Sequence, residues 1–226
     1  MKVTWLGQAG FYIQTKDQTI MVDPYLTNSI GQKKADKNRR MPENALVFEW
    51  PLAMLICTHD HIDHLDSATV DILLEKHADM KLFGPSSCWK CFREKTMAHN
   101  TVLFDVGTQW TEGQTRITAV KAVHSDAYAI GVVIEDGEQR IYISGDTLYH
   151  PDVLAGIENM SFDGVFVPIN GAGNNMNGAD AKRFVEQLEY RKVYPCHWGM
   201  FDSLDPAKLF FAKNAEIMEI YRTFEI

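Results

Sequence analysis

Nine consecutive residues, Thr58 to Asp66 (T-H-D-H-I-D-H-L-D), gather three imidazoles and three carboxylates in one short loop. Side chains on extended chain alternate by two, so His59 and His61 project to the same side where a strand ends. Asp63 and His64 follow at once. Imidazole nitrogen and carboxylate oxygen are the usual protein ligands of divalent ions. The order suits two neighbouring ions, one taking His59 and His61 while the chain turns and offers Asp63 and His64 to the other. A hydrophobic strand, Ala53 to Cys57, runs straight into this loop.

Three further residues share one setting, a ligand type just past a hydrophobic strand: His124 after A-V-K-A-V, Asp146 in I-Y-I-S-G-D-T and His197 in V-Y-P-C-H-W-G. Alone, each reads as a hydrogen-bonded core histidine or a turn-capping aspartate. In layered α/β folds, however, sites collect at strand ends, and a metal loop needs closing ligands. Tyr149 and His150 follow Asp146 closely enough to donate a proton to a leaving group, although His150 also suits the start of a helix.

The elements that must position these groups fall into two halves. Residues 3 to 23 read as a three-stranded meander ending at Asp23-Pro24. Tyr25 to Glu49 has no periodicity, which predicts an irregular segment that could fold over the metals. Strands at 53–57, 81–84 and 101–104 then alternate with helices at 67–77, where Asp66 or Ser67 is the predicted N-cap, and about 86–97. The second half predicts strands at 108–112, 115–123, 127–135 and 139–144, with a hairpin at Asp136-Gly137. Strands at 162–169 and 192–196 and helices at 178–189 and 206–222 complete it. No linker separates the halves, so the expected architecture is one α/β domain over 1–226, two packed sheets flanked by helices on both sides.

A net charge of −8 and a pI near 5.4 argue against a nucleic-acid or anionic-membrane partner, since both need a basic face. No apolar leader and no run long enough to span a bilayer is visible, and a cytoplasmic protein is expected. Four cysteines fit a reducing compartment, and Cys88-x-x-Cys91 on a predicted helix reads as structural.

Taken together, Asp23, H-D-H-I-D-H at 59–64, His124, Asp146 and His197 resemble, in order, the five motifs of the metallo-β-lactamase superfamily. The stretches L-G-Q-A-G-F-Y-I, I-M-V-D-P-Y, S-G-D-T and P-C-H-W-G-M-F are similar to its small cytoplasmic metal-dependent hydrolases related to L-ascorbate-6-phosphate lactonase. The resemblance implies a four-layer αββα sandwich with two mixed sheets. It implies that His59, His61 and His124 hold a first ion, Asp63, His64 and His197 a second, with Asp146 bridging. Asp23 would orient a ligand histidine.

Such a site lowers the pKa of a bridging water from about 15.7 toward neutrality, giving a hydroxide nucleophile. Asp63 and Asp146, with Tyr149 or His150, are the expected catalytic groups. With imidazole and carboxylate ligands and no thiolate, zinc is the first expectation for both ions and manganese the close alternative. Lys33, Lys34, Lys37, Arg39 and Arg40 crowd residues 31–40, which predicts a small anionic substrate, with Arg39 and Arg40 in contact. Asn170, Asn174, Asn175 and Asn177 form a loop whose amides could bind substrate hydroxyls or simply shape a turn. The expectation is hydrolysis of an anionic ester or lactone, in a monomer or homo-oligomer. A phosphodiesterase or nuclease, and a metal-binding protein without turnover, are the alternatives.

Overall fold

The computed structural model describes the whole chain, Met1–Ile226. Its first sheet begins as a meander of β1 (Lys2–Gly7), β2 (Gly10–Gln14) and β3 (Thr19–Val22), antiparallel because the connections are too short for anything else. It continues in parallel through β4 (Met54–Ile56), β5 (Lys81–Gly84) and β6 (Thr101–Leu103). Parallel neighbours need crossovers, and the helices α2 (Ser67–Lys76) and α3 (Ser86–Lys95) supply two of them.

The second sheet repeats this plan. Hairpins join β7 (Gln109–Glu112), β8 (Thr115–Lys121), β9 (Ile130–Asp136) and β10 (Gln139–Ile143). Two of the turns place Gly113 and Gly137 at φ 62°, where a side chain would be strained. Parallel strands β11 (Ser161–Pro168) and β12 (Glu189–Cys196) follow, with α4 (Pro151–Ala155) and α5 (Gly178–Val185) as crossovers.

The two sheets close on one shared core that includes Phe11, Ile56 and Phe83 from the first and Ile134 and Phe166 from the second. Phe11 of one sheet meets Phe166 of the other edge-on at 4.9 Å between ring centroids. Outer clusters seat α2 and α3 on the first sheet and α4 and α5 on the second. Strands covered on both faces must be apolar throughout, and β4 is accordingly buried at every residue. The result is the expected four-layer αββα sandwich. No helix is long and apolar enough to cross a membrane.

Two regions depart from expectation. The helix predicted over 206–222 shrinks to α6 (Pro206–Leu209), and the chain ends in β13 (Thr223–Glu225), paired antiparallel with β1. Asn214 and Tyr221 have positive φ, which no α-helix accommodates, and the open edge of β1 captures the T-F-E tail. The segment after Asp23 is less irregular than its sequence. It carries α1 (Ser29–Lys33) and single 3-10 turns at Ala35–Lys37 and Ala45–Glu49. It is pinned where Tyr25 and Ile30 bury against Met200.

Asp66 explains how that segment meets the metal loop. Its carboxylate caps α2 through Thr69 N (3.1 Å) and accepts from Thr27 Oγ1 (2.7 Å) and Ser29 Oγ (2.6 Å).

Candidate metal centre

All the ligand-type residues lie at one edge of the sandwich, where β3, β4, β8, β10 and β12 end. Asp23 terminates β3 with its carboxylate fully buried. It accepts from Thr58 N (2.7 Å), Thr58 Oγ1 (2.6 Å) and His64 Nδ1 (2.8 Å). The loop after β4 is therefore fastened to the neighbouring strand at its first residue and its sixth after that. Gly145, at φ 60°, lets the S-G-D-T turn pass beneath it, since a Cβ there would lie 2.6 Å from Ile130 O and 3.1 Å from Thr58 Cβ.

Four of the five histidines have a partner at the outer nitrogen, and for His59, His64 and His124 it decides the tautomer. Because Thr58 Oγ1 donates to Asp23, it accepts from His59 Nδ1 (3.1 Å). His64 Nδ1 donates to Asp23, and His124 Nδ1 donates to the Asn174 carbonyl (3.2 Å). His61 Nε2 lies 3.3 Å from Ser125 Oγ, a hydroxyl that can donate or accept. Nε2 of His59, His64 and His124 and Nδ1 of His61 all face inward. His61 Nδ1 and His124 Nε2 stand 3.1 Å apart, where they share a proton as a hydrogen bond or admit a cation between them.

Buried polar atoms are ordinarily paired. Here His59 Nε2, His64 Nε2 and Asp146 Oδ1 are buried without a hydrogen bond; the last two are 3.4 Å apart but off the line of one. The groups His59–His61–His124, His59–His64–Asp146 and Asp63–His64–His197 each bring their ligand atoms within 4.8 Å of one another. Asp146 Oδ2 lies 3.2 Å from His197 Nε2 and 3.8 Å from His124 Nε2, within reach of both flanking triads. These donors fit divalent cations.

The triads differ electrostatically. Burial, then the nearby imidazoles of His64, His124 and His61, push His59 far below the usual histidine range, and burial lowers His124 as well. Burial also opposes charge on His64 and His197, but the carboxylates of Asp146, Asp23 and Asp63 prevail on His64, which is raised well above its ordinary value. Asp146 and Asp63 likewise raise His197, to about 10. Burial would raise Asp63 and Asp146 in turn, and the facing His64 and His197 outweigh it and lower both. Four of the six non-glycine residues with positive φ lie here: Gln8, Asp23, Asn174 and His197. Such conformations cost about 1–3 kcal/mol each and persist where surroundings over-determine them.

Residues 18–198 match the sequence profile described as "Beta-lactamase superfamily domain". The chain belongs to that superfamily. A UPF0173 metal-dependent hydrolase of Ruegeria sp. strain TM1040 is 26% identical, over 91% of this chain and 89% of that protein. Among solved structures, Igni18, a metallo hydrolase from Ignicoccus hospitalis, superposes with a TM-score of 0.78 at 20% identity, covering 100% of this chain and 98% of that one. An isothiocyanate hydrolase from Delia radicum gut bacteria gives 0.78 at 19% identity, covering 100% and 99%. At such identities the likeness to these two structures is one of fold.

The superfamily's seven expected ligands thus converge, while the residues expected around them divide. A cavity of about 670 Å³ opens over the ligands, lined by Lys34, Lys37, Asn170, Asn174 and Asn175 among others. Arg39 and Arg40 do not line it, which corrects the expectation of contact. The Arg39 guanidinium is committed to the carbonyls of Tyr25 (2.6 Å), Met41 (2.9 Å) and Pro42 (3.0 Å) and to Tyr221 Oη (2.9 Å). Arg40 points to solvent.

Tyr149 and His150 are likewise absent from the cavity wall. The Tyr149 ring packs on Phe184 under Arg183, and His150 Nδ1 caps α4 by accepting from Asp152 N (3.2 Å), so neither is placed to protonate a leaving group. Buried Asn175 donates to Asp146 Oδ2 (2.7 Å), and Asn177 caps α5.

Sequence reasoning missed Gln8, Thr58 and Ser125, which touch ligand side chains directly. Gln8 carried the signal that found His124 and His197, a polar residue just past a hydrophobic strand. The four cysteines are free, and burial raises each thiol above its ordinary value, which suits structural roles.

Proposed function

We propose that this chain is a metal-dependent hydrolase that cleaves an ester or lactone bond in a small anionic substrate. Two divalent ions would be held by His59, His61 and His124 and by Asp63, His64 and His197, with Asp146 between them. The observation that carries this reading is the convergence of seven ligand-type side chains in three close groups, with His59 Nε2, His64 Nε2 and Asp146 Oδ1 buried among them without a hydrogen bond. Bound there, such ions would supply Lewis acidity toward the bond under attack and lower the pKa of a coordinated water from about 15.7 toward about 7.

The chain's own groups do the rest. Asp63 Oδ2 lies at the cavity, 3.4 Å from His197 Nε2, where it can hold a water or take its proton. The Asn175 amide holds Asp146 against both triads. Lys34 and Lys37 line the opposite wall in an otherwise acidic protein and would pair with a carboxylate or phosphate on the substrate. The imidazole and carboxylate donors favour zinc, with manganese as the alternative suggested by the lactonase-like motifs. Four free cysteines support a cytoplasmic setting.

The test is a panel of an anionic ester, a neutral ester, a lactone and a phosphodiester, assayed after chelation and reloading with Zn²⁺ or Mn²⁺. Anionic ester or lactone turnover should vanish in His61→Ala and show a raised KM in Lys34→Gln/Lys37→Gln. Full turnover by His61→Ala would overturn the hydrolytic site, and turnover of the phosphodiester alone would replace the substrate class.

A further inference from the structure

Gln8 lies in the turn between β1 and β2 and reaches the site from the side opposite the metal loop. It is buried, lines the cavity and adopts φ 50°. Its Nε2 donates to Asp63 Oδ2 (2.9 Å) and lies 3.1 and 3.2 Å from the two ring nitrogens of His197. A donor approaching one ring lone pair in the ring plane is near one nitrogen, not both. The amide therefore rests over the imidazole face and leaves the in-plane approach to each His197 ring nitrogen open. The Gln8 carbonyl accepts from His197 N (2.9 Å) and Trp5 Nε1 (3.0 Å). Its Oε1 is buried without a partner, so no hydrogen bond of that atom accounts for where the amide sits.

We propose that Gln8 is a positioning residue for the Asp63–His64–His197 triad. Its amide N–H fixes the Asp63 carboxylate in the orientation that closes this triad and so sets how tightly a divalent ion binds there. The assignment rests on the two-ion reading above. Asp63 is the one partly exposed carboxylate among the ligands, on a loop where an untethered side chain would sample several rotamers and lose that freedom on binding an ion. A tether removes the cost in advance. Residues that orient a ligand typically contribute 10–100-fold in metal affinity. The effect is confined to one triad, because the Gln8 amide makes hydrogen-bond contacts to Asp63 and His197 and none to His59, His61 or His124.

Mn²⁺ is titrated by calorimetry into the chelator-treated full chain and into Gln8→Met and Gln8→Gly. Methionine keeps the volume and loses the amide, whereas glycine accepts φ 50° without strain and separates the backbone's role from the side chain's. The natural chain should bind two equivalents. Both variants should keep the first and bind the second about 10–100-fold more weakly. Gln8→His, which restores an N–H on a residue tolerant of positive φ, should recover part of the loss. Metal-free unfolding temperatures establish that each variant folds.

Two unchanged equivalents in both variants would overturn the assignment and leave the two-ion reading intact. Equal weakening of both equivalents would make Gln8 a residue of general packing and also overturn it. A natural chain that binds a single equivalent would overturn the two-ion reading itself.

Discussion

The two triads sit side by side at one edge of the sandwich, yet they are held in opposite ways. His59, His61 and His124 lean on neutral partners, the hydroxyls of Thr58 and Ser125 and the carbonyl of Asn174. In the other triad His64 leans on the buried carboxylate of Asp23, and the Asp63 carboxylate accepts from Gln8 Nε2. In one triad His59 and His124 have depressed basicity, and the other is a buried ion-pair network. The lesson is that the carboxylates packed against a triad's imidazoles, Asp146 first, with Asp23 and Asp63, decide its charge and its dependence on protons.

The largest expected effect comes from removing the charged anchor. Asp23→Ala strands three buried donors, Thr58 N, Thr58 Oγ1 and His64 Nδ1. Breaking a buried pair in this way costs about 3–5 kcal/mol. Urea unfolding of the metal-free protein should show that loss, and metal titration should show the second triad weakened far more than the first. A loss below about 1 kcal/mol would mean that Asp23 is not the anchor its geometry describes.

The next effect lies in pH. His64 and His197 have folded pKa values raised above the unfolded value of about 6.5. Their stabilisation is complete below about pH 6.5 and is lost as pH rises through the folded value, about 10 for His197. Asp63 and Asp146 have lowered folded values, so theirs is present above about pH 3.9 and lost as pH falls further. These are the same ion pairs seen from both partners. Metal-free thermal stability should therefore be highest between about pH 4 and pH 6.5. An ion in the second triad must displace protons from His64 and His197, so its affinity should rise from about pH 6 to about pH 8, more steeply than that of the first triad, where His59 and His124 have lowered values. Calorimetry at the two pH values checks this, and equal slopes for both binding events would erase the distinction.

The smallest effect belongs to the neutral, exposed anchor. In Ser125→Ala, water can replace the lost hydroxyl beside His61 Nε2, so urea unfolding should shift by about 0.5 kcal/mol or less. A loss approaching that of Asp23→Ala would show that the first triad also depends on a specific partner.

The sequence by itself determined the candidate ligands and the order of the strands from β1 to β12. H-x-H-x-D-H after an apolar strand is a local pattern, and His124, Asp146 and His197 each follow a hydrophobic strand, so type and spacing suffice. It also determined the alternation of meander and crossover that makes two mixed sheets, because hydrophobic period and turn residues are local properties. Only the tertiary structure decided what each ligand leans on. Gln8 and Asp63 are 55 residues apart, His124 and Asn174 are 50 apart, and no periodicity encodes such pairs. It redirected Arg39 to main-chain carbonyls and left the cavity wall to Lys34 and Lys37, a choice between neighbouring cations that depends on which way a short helix turns them. It converted the expected last helix into an edge strand, since the open edge of β1 offers hydrogen bonds that no local propensity reveals.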